Sequence, residues 1–459
     1  MSKMSRRDFL KASMLASTGA VLAACAPAAT QPAANQPAQP ANTVAASQPV
    51  EITLWQSDWG KDYNPPMIAL GDSYKKNVKP NVTVTMTFLP NVSEKLISAI
   101  TAGNPPDCTL IDEGYGIPKM AIQGGLISFK PYFDAAGVKK EEFIPFTWET
   151  VLYKGEPYGI PGGAGSILMM IDRAVYKDAG IDTTNFPKIP TWAQFKEWNN
   201  KLYKKDANGK IVRIGHDPLS QWAQMRGIFD FQVYDANKTK LAINGPASVA
   251  ALTEWFTLLP ADVKYEDIAA VQNGAPGNQY GAWMAGIRGM EEDDYWMYLA
   301  IDKYAPKMDY FVNYLPTMNG KAEEQKGYTG WVWDMAIPKG SAHPEEAWGF
   351  IKYGYYDKAE VLADTINWPS KISAFPAFEK RTIEMMGANN RLTPYMPLFD
   401  LPKQVGAWFE PWTPIYSKLG DQFGTAMQAI ARREKTVQQA MDEVVSTLQP
   451  ELDKAQGTF

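Results

Sequence analysis

Residues 82–111 read VTVTMTFLPNVSEKLISAITAGNPPDCTLI, and the fold turns on how that stretch is read. Val82, Val84, Met86 and Phe88 alternate with Thr83, Thr85 and Thr87, a period-two pattern rich in β-branched residues that predicts a strand. From Ser93 to Ala102 the spacing becomes helical, and Gly103 stands where a helix end favours glycine. Cys108-Thr109-Leu110-Ile111 is then a short apolar strand that ends at Asp112-Glu113. Upstream, Val50 to Trp55 alternates as a strand, and Asn64 to Asn77 reads as a helix entered through Pro65-Pro66. Strand, helix, strand, helix, strand means βαβ units and a largely parallel sheet. In such sheets ligands bind outside the carboxyl ends of strands, which points at Trp55 to Trp59 and at Asp112 to Tyr115.

Before this stretch the chain carries a different kind of signal. Ser5-Arg6-Arg7-Asp8-Phe9-Leu10-Lys11 reads as a twin-arginine export signal, followed by a short apolar run from Met14 to Ala24. That run is shorter than the roughly 20 residues of a spanning helix. It ends in Leu22-Ala23-Ala24-Cys25, which resembles a lipobox, so cleavage before Cys25 and lipidation of its thiol are expected. Residues 26–49 hold almost only Ala, Pro, Gln, Asn, Thr and Ser and should form a disordered tether. The expected location is extracytoplasmic, on the cell membrane through the lipid anchor.

Beyond the tether about 410 of the 459 residues remain, too many for one core, so two lobes are expected. A formal net charge of −5 without a clustered basic face excludes a nucleic-acid partner. The other cysteine, Cys108, sits in an apolar context and is expected to be a buried, inert thiol. Further strands are expected at Ser166–Ile171, Tyr310–Leu315 and Gly330–Ile337, and a hairpin at Asp206-Ala207-Asn208-Gly209. Helical stretches are expected at Gln221–Phe231 and Pro246–Leu259, and others opening at Thr191-Trp192 and His343-Pro344. A last helix follows a capping box, Thr436 to Gln439, with Val437, Ala440, Met441, Val444, Val445 and Leu448 on one face.

Five segments carry a resemblance. They are Ala102 to Asp107; Gly124 to Ile127 with Pro131-Tyr132; Tyr158 to Pro161; Asp178 to Ile181 with Pro190-Thr191-Trp192 and Phe195; and Trp331 to Trp348. In this order they resemble the extracellular solute-binding proteins of ABC transporters, the family that includes maltose-binding protein. Met170-Ile171-Asp172-Arg173 departs from the Tyr-Asn-Lys of many relatives, and Gly286 to Trp296 only approximates the family's pattern. The resemblance implies a periplasmic-binding-protein-like α/β fold, with two α/β lobes, a central ligand cleft and several hinge crossings. It places one lobe at 50–163 plus 325–376 and the other at 164–324 plus 377–459. It also implies a monomer that captures a carbohydrate for ABC permease subunits; the alternatives are a polyol, glycerol phosphate, polyamine or peptide, or a secreted carbohydrate-active enzyme.

Catalysis has little support in the residues. The two histidines are His216 and His343, the latter explained by capping at a helix start, and no nucleophile, zinc or phosphate-loop motif occurs. No cofactor or metal is expected. Gly162 to Ser166 reads as a hinge, and Glu291-Glu292-Asp293-Asp294 as a solvated helix face rather than a cation site. For binding, aromatic faces suit the C–H face of a pyranose, and carboxylates accept its hydroxyls. The candidates are Trp55 and Asp58 after the first strand, and Asp112, Glu113 and Tyr115 after the third. Trp331, Trp333 and Asp334 are added where the family's strand passes the cleft, and Trp368 in the following Asn367-Trp368-Pro369 loop; Trp283, Trp296, Trp408 and Trp412 are candidates from the second lobe. Trp192, Trp198, Trp255 and Trp348 lie on helical faces and are expected in the core.

Overall fold

The protein is described here by a computed structural model covering residues 48–112, 114–219, 225–276, 281–324, 332–400 and 411–458. The export signal, Cys25, nearly all of the tether, Glu113, Trp331 and Trp408 lie outside the described residues. The strands are β1 (Val50–Ser57), β2 (Val82–Leu89), β3 (Cys108–Ile111), β4 (Leu152–Tyr153), β5 (Glu156–Pro157) and β6 (Ile160–Ala164). After these come β7 (Leu168–Asp172), β8 (Lys204–Lys205), β9 (Ile211–Arg213), β10 (Glu291–Asp293), β11 (Tyr310–Asn313) and β12 (Val332–Ala336).

A five-stranded sheet runs β2-β1-β3-β12-β6, and a three-stranded sheet runs β10-β7-β11. β1 is parallel to β2 and β3, as the βαβ pattern requires. β12 is antiparallel to β3 and β6, so the sheet is mixed rather than largely parallel. The chain reaches β12 only after building the second sheet, and no single crossover helix fixes its direction. The helices Asn64–Asn77 and Val92–Ala102 connect the parallel strands, and Gly103 closes the second at φ +77°.

Strand alternation sorts the core. Leu168 and Met170 of β7 enter one buried cluster with Ile52, Leu54 and Leu110, whereas Met169 and Ile171 enter another with Trp192, Phe195 and Trp255. Trp198 and Trp348 are buried as well, so all four helical tryptophans lie in cores. Cys108 is buried without a disulfide partner, and burial pushes its thiol pKa up. The last helix, Val437–Ala455, carries the expected capping box at Thr436 and Gln439. β8 and β9 form the expected hairpin, with Asp206 accepting from the Asn208 and Lys210 amides.

Three expectations need correction. The acidic run is a buried strand, not a solvated helix face: Glu291 to Asp294 are each 5 % exposed or less, and β10 pairs antiparallel with β7. Burial of such charge requires partners. Glu291 meets the Arg288 guanidinium, and Glu292 lies 3.2 Å from His216 Nε2. His343 stands at the start of the helix Pro344–Lys352, but its side chain makes no cap; its backbone N–H donates to Asp107 at 3.0 Å. Of the helix expected over 221–231, the described residues contain only Met225–Ile228, and 221–224 lie outside them.

Candidate functional site

The carboxyl end of β1 runs into a turn held by backbone bonds from the Tyr63 and Asn64 amides to the Gly60 carbonyl and by side chains of its own. Asp58 accepts from the Gly60 amide at 2.8 Å and from Asn64 Nδ2 at 2.7 Å, while Asn64 Oδ1 accepts from the Trp59 amide at 2.9 Å. Gly60 has φ +90°, a conformation costly for any other residue. The Asn64 and Gly60 bonds hold the Asp58 carboxyl below its ordinary pKa, so it stays ionised. From the carboxyl end of β3, Asp112 accepts from Ser57 Oγ at 2.7 Å and from the Trp59 indole N–H at 2.6 Å.

Asp58, Trp59 and Asp112 line a cavity of about 390 Å³ together with Tyr63, Trp296, Trp333, Ile366 and Asn367. The volume lies in the lower part of the roughly 300–1,000 Å³ range of small-molecule sites. Trp296, just after β10, meets Tyr63 edge to face with ring centroids 5.1 Å apart. Beside this pair, Asp62 receives Lys303 Nζ at 2.5 Å and the Tyr304 hydroxyl at 2.9 Å, joining the segment after β1 to the helix Tyr298–Tyr304. Asn367 turns its amide nitrogen inward to the carbonyl and hydroxyl oxygens of Thr365, at 2.9 and 3.0 Å. The charged residues lining this cavity are Asp58 and Asp112, both acidic; no basic side chain lines it among the described residues.

The Gly162-Gly163 pair of β6, read from sequence as part of a hinge, has a packing reason. A Cβ on Gly163 would lie 2.5 Å from the Trp333 ring and 2.0 Å from the Trp368 carbonyl oxygen. Only glycine lets these two tryptophan segments approach so closely. Residues 165–167 then carry the chain from the five-stranded sheet into β7.

Of the residues singled out in sequence, Asp58, Asp112, Trp296 and Trp333 line the cavity. Trp55 is half-buried on β1, paired with Thr87 and Thr109, and does not line it. Tyr115 is buried at the start of the helix Gly116–Ala121 and meets Tyr416 edge to face. Trp283 is fully buried core, edge to face with Tyr310. Asp334 is buried within β12, where it accepts from Thr150 Oγ1 at 3.1 Å, and burial raises its pKa to about 8. Trp368 is also core: its indole N–H donates to Asp294 at 2.8 Å, and its ring packs on Phe375 and Phe378. Asp294 further accepts from the Ser166 and Tyr295 amides, and burial raises its pKa to about 7. Trp412 is half-buried and does not line the cavity. The sequence reading missed Trp59, Tyr63, Ile366 and Asn367. Trp59 lay within the flagged interval but gave way to Trp55, and Asn367 stood in a loop flagged only for its tryptophan.

Among the described residues, no group of three or more His, Cys, Asp or Glu is arranged to hold a metal ion, and no helix is long and apolar enough to cross a membrane. Comparison with the curated proteins finds no match. Among solved structures, CpMnBP1 with bound mannobiose aligns with a TM-score of 0.70 at 23% identity, over 88% of this chain and 100% of that one. The ABC substrate-binding protein Lmo0181 from Listeria monocytogenes, in complex with cycloalternan, gives 0.70 at 15% identity over 90% and 100%. The sugar-binding protein MalE from Xanthomonas citri gives 0.63 at 19% identity over 88% and 98%. These likenesses establish the fold, the two-lobed α/β architecture of periplasmic binding proteins. Residues 57–361 match the sequence profile of one family, and the chain belongs to it: the bacterial extracellular solute-binding proteins.

Proposed function

We propose that the protein is the substrate-binding component of an ABC importer and holds a mono- or oligosaccharide in the cavity walled by Trp59, Tyr63, Trp296 and Trp333. One observation carries this reading: four aromatic rings line a space into which Asp58 brings a carboxylate, with Asp112 and Asn367 beside it. Indole and phenol faces match the C–H face of a pyranose, and the ionised Asp58 carboxylate makes the stronger kind of bond to its hydroxyls. The mannobiose and cycloalternan bound by the structurally similar proteins support a sugar cargo.

The lobes of this reading are 50–163 plus 325–376 and 164–324 plus 377–459. Closure about their crossings excludes water from the cavity and forms the state read by the permease subunits. Residues 1–25 direct export, Cys25 takes the lipid, and 26–49 tether a monomeric body to the outer face of the membrane. The solute is carried and not transformed. A second reading keeps the cavity and changes the cargo to a basic solute such as a polyamine. Two carboxylates inside an aromatic cage favour it.

Calorimetric titration with a set of neutral saccharides and a polyamine tests both readings. A saccharide should bind, and Trp296→Ala should weaken it by about tenfold or more, as loss of a stacked aromatic wall requires. Binding of the polyamine alone would replace the sugar reading with the second.

A further inference from the structure

Asp58 and Asp112 both line the cavity, but they are engaged differently. Asp112 has a donor on each oxygen: Ser57 Oγ on Oδ1 at 2.7 Å and Trp59 Nε1 on Oδ2 at 2.6 Å. Among the described residues the donors to Asp58, Gly60 N and Asn64 Nδ2, both fall on Oδ1, and none falls on Oδ2. Trp59 is thereby fixed at two points, its backbone by Asn64 Oδ1 at 2.9 Å and its ring by Asp112. An indole on a turn has two side-chain torsions, and fixing both the amide and the ring nitrogen selects one orientation. Ser57, the last residue of β1, in turn holds the carboxylate that holds the ring.

We infer that Asp112 is a positioning residue that works through Trp59, with Ser57 as its brace, and that Asp58 Oδ2 is the carboxylate oxygen left to meet the solute. The inference rests on the proposed reading of the cavity as the binding site and adds a division of labour within it. A ring held in place before the solute arrives does not lose its freedom on binding, so the clamp raises affinity by preorganisation. Asp112 then sets which solute faces fit against Trp59 without itself having to contact them.

Two measurements on the full chain test this. The first needs no solute: the fluorine spectrum of protein labelled with fluorotryptophan, with the Trp59 signal assigned by its loss in Trp59→Phe. Asp112→Ala and the shape-conserving Asp112→Asn should shift or broaden the Trp59 signal while leaving those of the buried Trp255 and Trp283 in place. Ser57→Ala should move it less. A Trp59 signal unmoved in both Asp112 variants would overturn the inference.

The second is a double-mutant cycle with mannobiose as the probe. Trp59→Phe and Asp112→Ala should each weaken binding about tenfold, as loss of a hydrogen bond to a charged group implies. The double variant should be little weaker than either single one, because the two act as a unit. Additive losses of about a hundredfold would place Asp112 on the solute and overturn the inference. Absence of mannobiose binding to the unaltered protein would count against the sugar reading alone, since the fluorine spectrum still decides the clamp.

Discussion

Asp334 and Asp294 place two carboxyl groups where water does not reach. Asp334 is 2 % exposed and Asp294 1 % exposed, and burial raises their pKa values to about 8 and about 7 from an ordinary 3.8. At these two positions the folded protein therefore binds more protons than the unfolded chain between about pH 4 and pH 8. Where the native state holds the extra proton, stability falls as pH rises. The contribution is full below pH 4 and is lost as pH passes through 7 to 8. We expect the midpoint of thermal unfolding to fall between pH 5 and pH 9, and Asp334→Asn to flatten that decline. An Asp334→Asn profile parallel to the unaltered one would show that Asp334 does not carry the proton. At this scale the sequence is a poor guide. Asp334 was legible as a residue near the cleft, but its burial depends on Thr150 and β6, far away in the chain. Trp283 and Trp368 misled for a related reason: in a chain with 15 tryptophans, large rings fill cores as readily as they line sites.

Local pattern specified the elements far better than it specified their surroundings. Alternation over 82–89 and helical spacing over 92–102 were readable because the physics is short-range: pleat, turn and capping glycine all lie within a few residues. The strand Glu291–Asp293 was unreadable because its carboxyl groups meet Arg288 and His216, the latter remote in sequence. The glycines of β6 give a sharper test. A Gly163→Ala side chain would meet the Trp368 carbonyl oxygen and the Trp333 ring at distances no real Cβ adopts. Backbone must move, at a cost of about 1–3 kcal/mol for overpacking. The variant should melt several degrees lower, and it should bind solute more weakly because Trp333 is a cavity wall. A stable variant with unaltered binding would mean that Trp333 does not set the cavity shape. At the far end of the chain, Thr436→Ala should lower stability by about 1 kcal/mol, measured by denaturant unfolding, through loss of the cap on the helix Val437–Ala455.

At the scale of the whole molecule, segments that follow strands of two sheets line one cavity. The segments after β1 and β3 and the β12 residue Trp333 supply most of the cavity, and Trp296 arrives from the segment after β10. The general rule that ligands gather at the carboxyl ends of strands located Asp58 and Asp112 from sequence. It could not choose between Trp55 and Trp59, because that choice depends on the turn that Asn64 holds. The antiparallel entry of β12 was equally hidden, being a consequence of the long excursion before it. The proposed role of this cavity is to capture a sugar from outside the cell. Thermal unfolding of the protein against neutral saccharides, a polyamine, a phosphate ester and a peptide tests that claim most directly. A solute present at 100 times its Kd adds about 2.7 kcal/mol of stability, a shift of a few degrees in a chain of this size. Such a shift is expected with one group of saccharides, without any product formed, and should disappear in Trp296→Ala. A shift with the polyamine, phosphate ester or peptide and silence across every saccharide would contradict it.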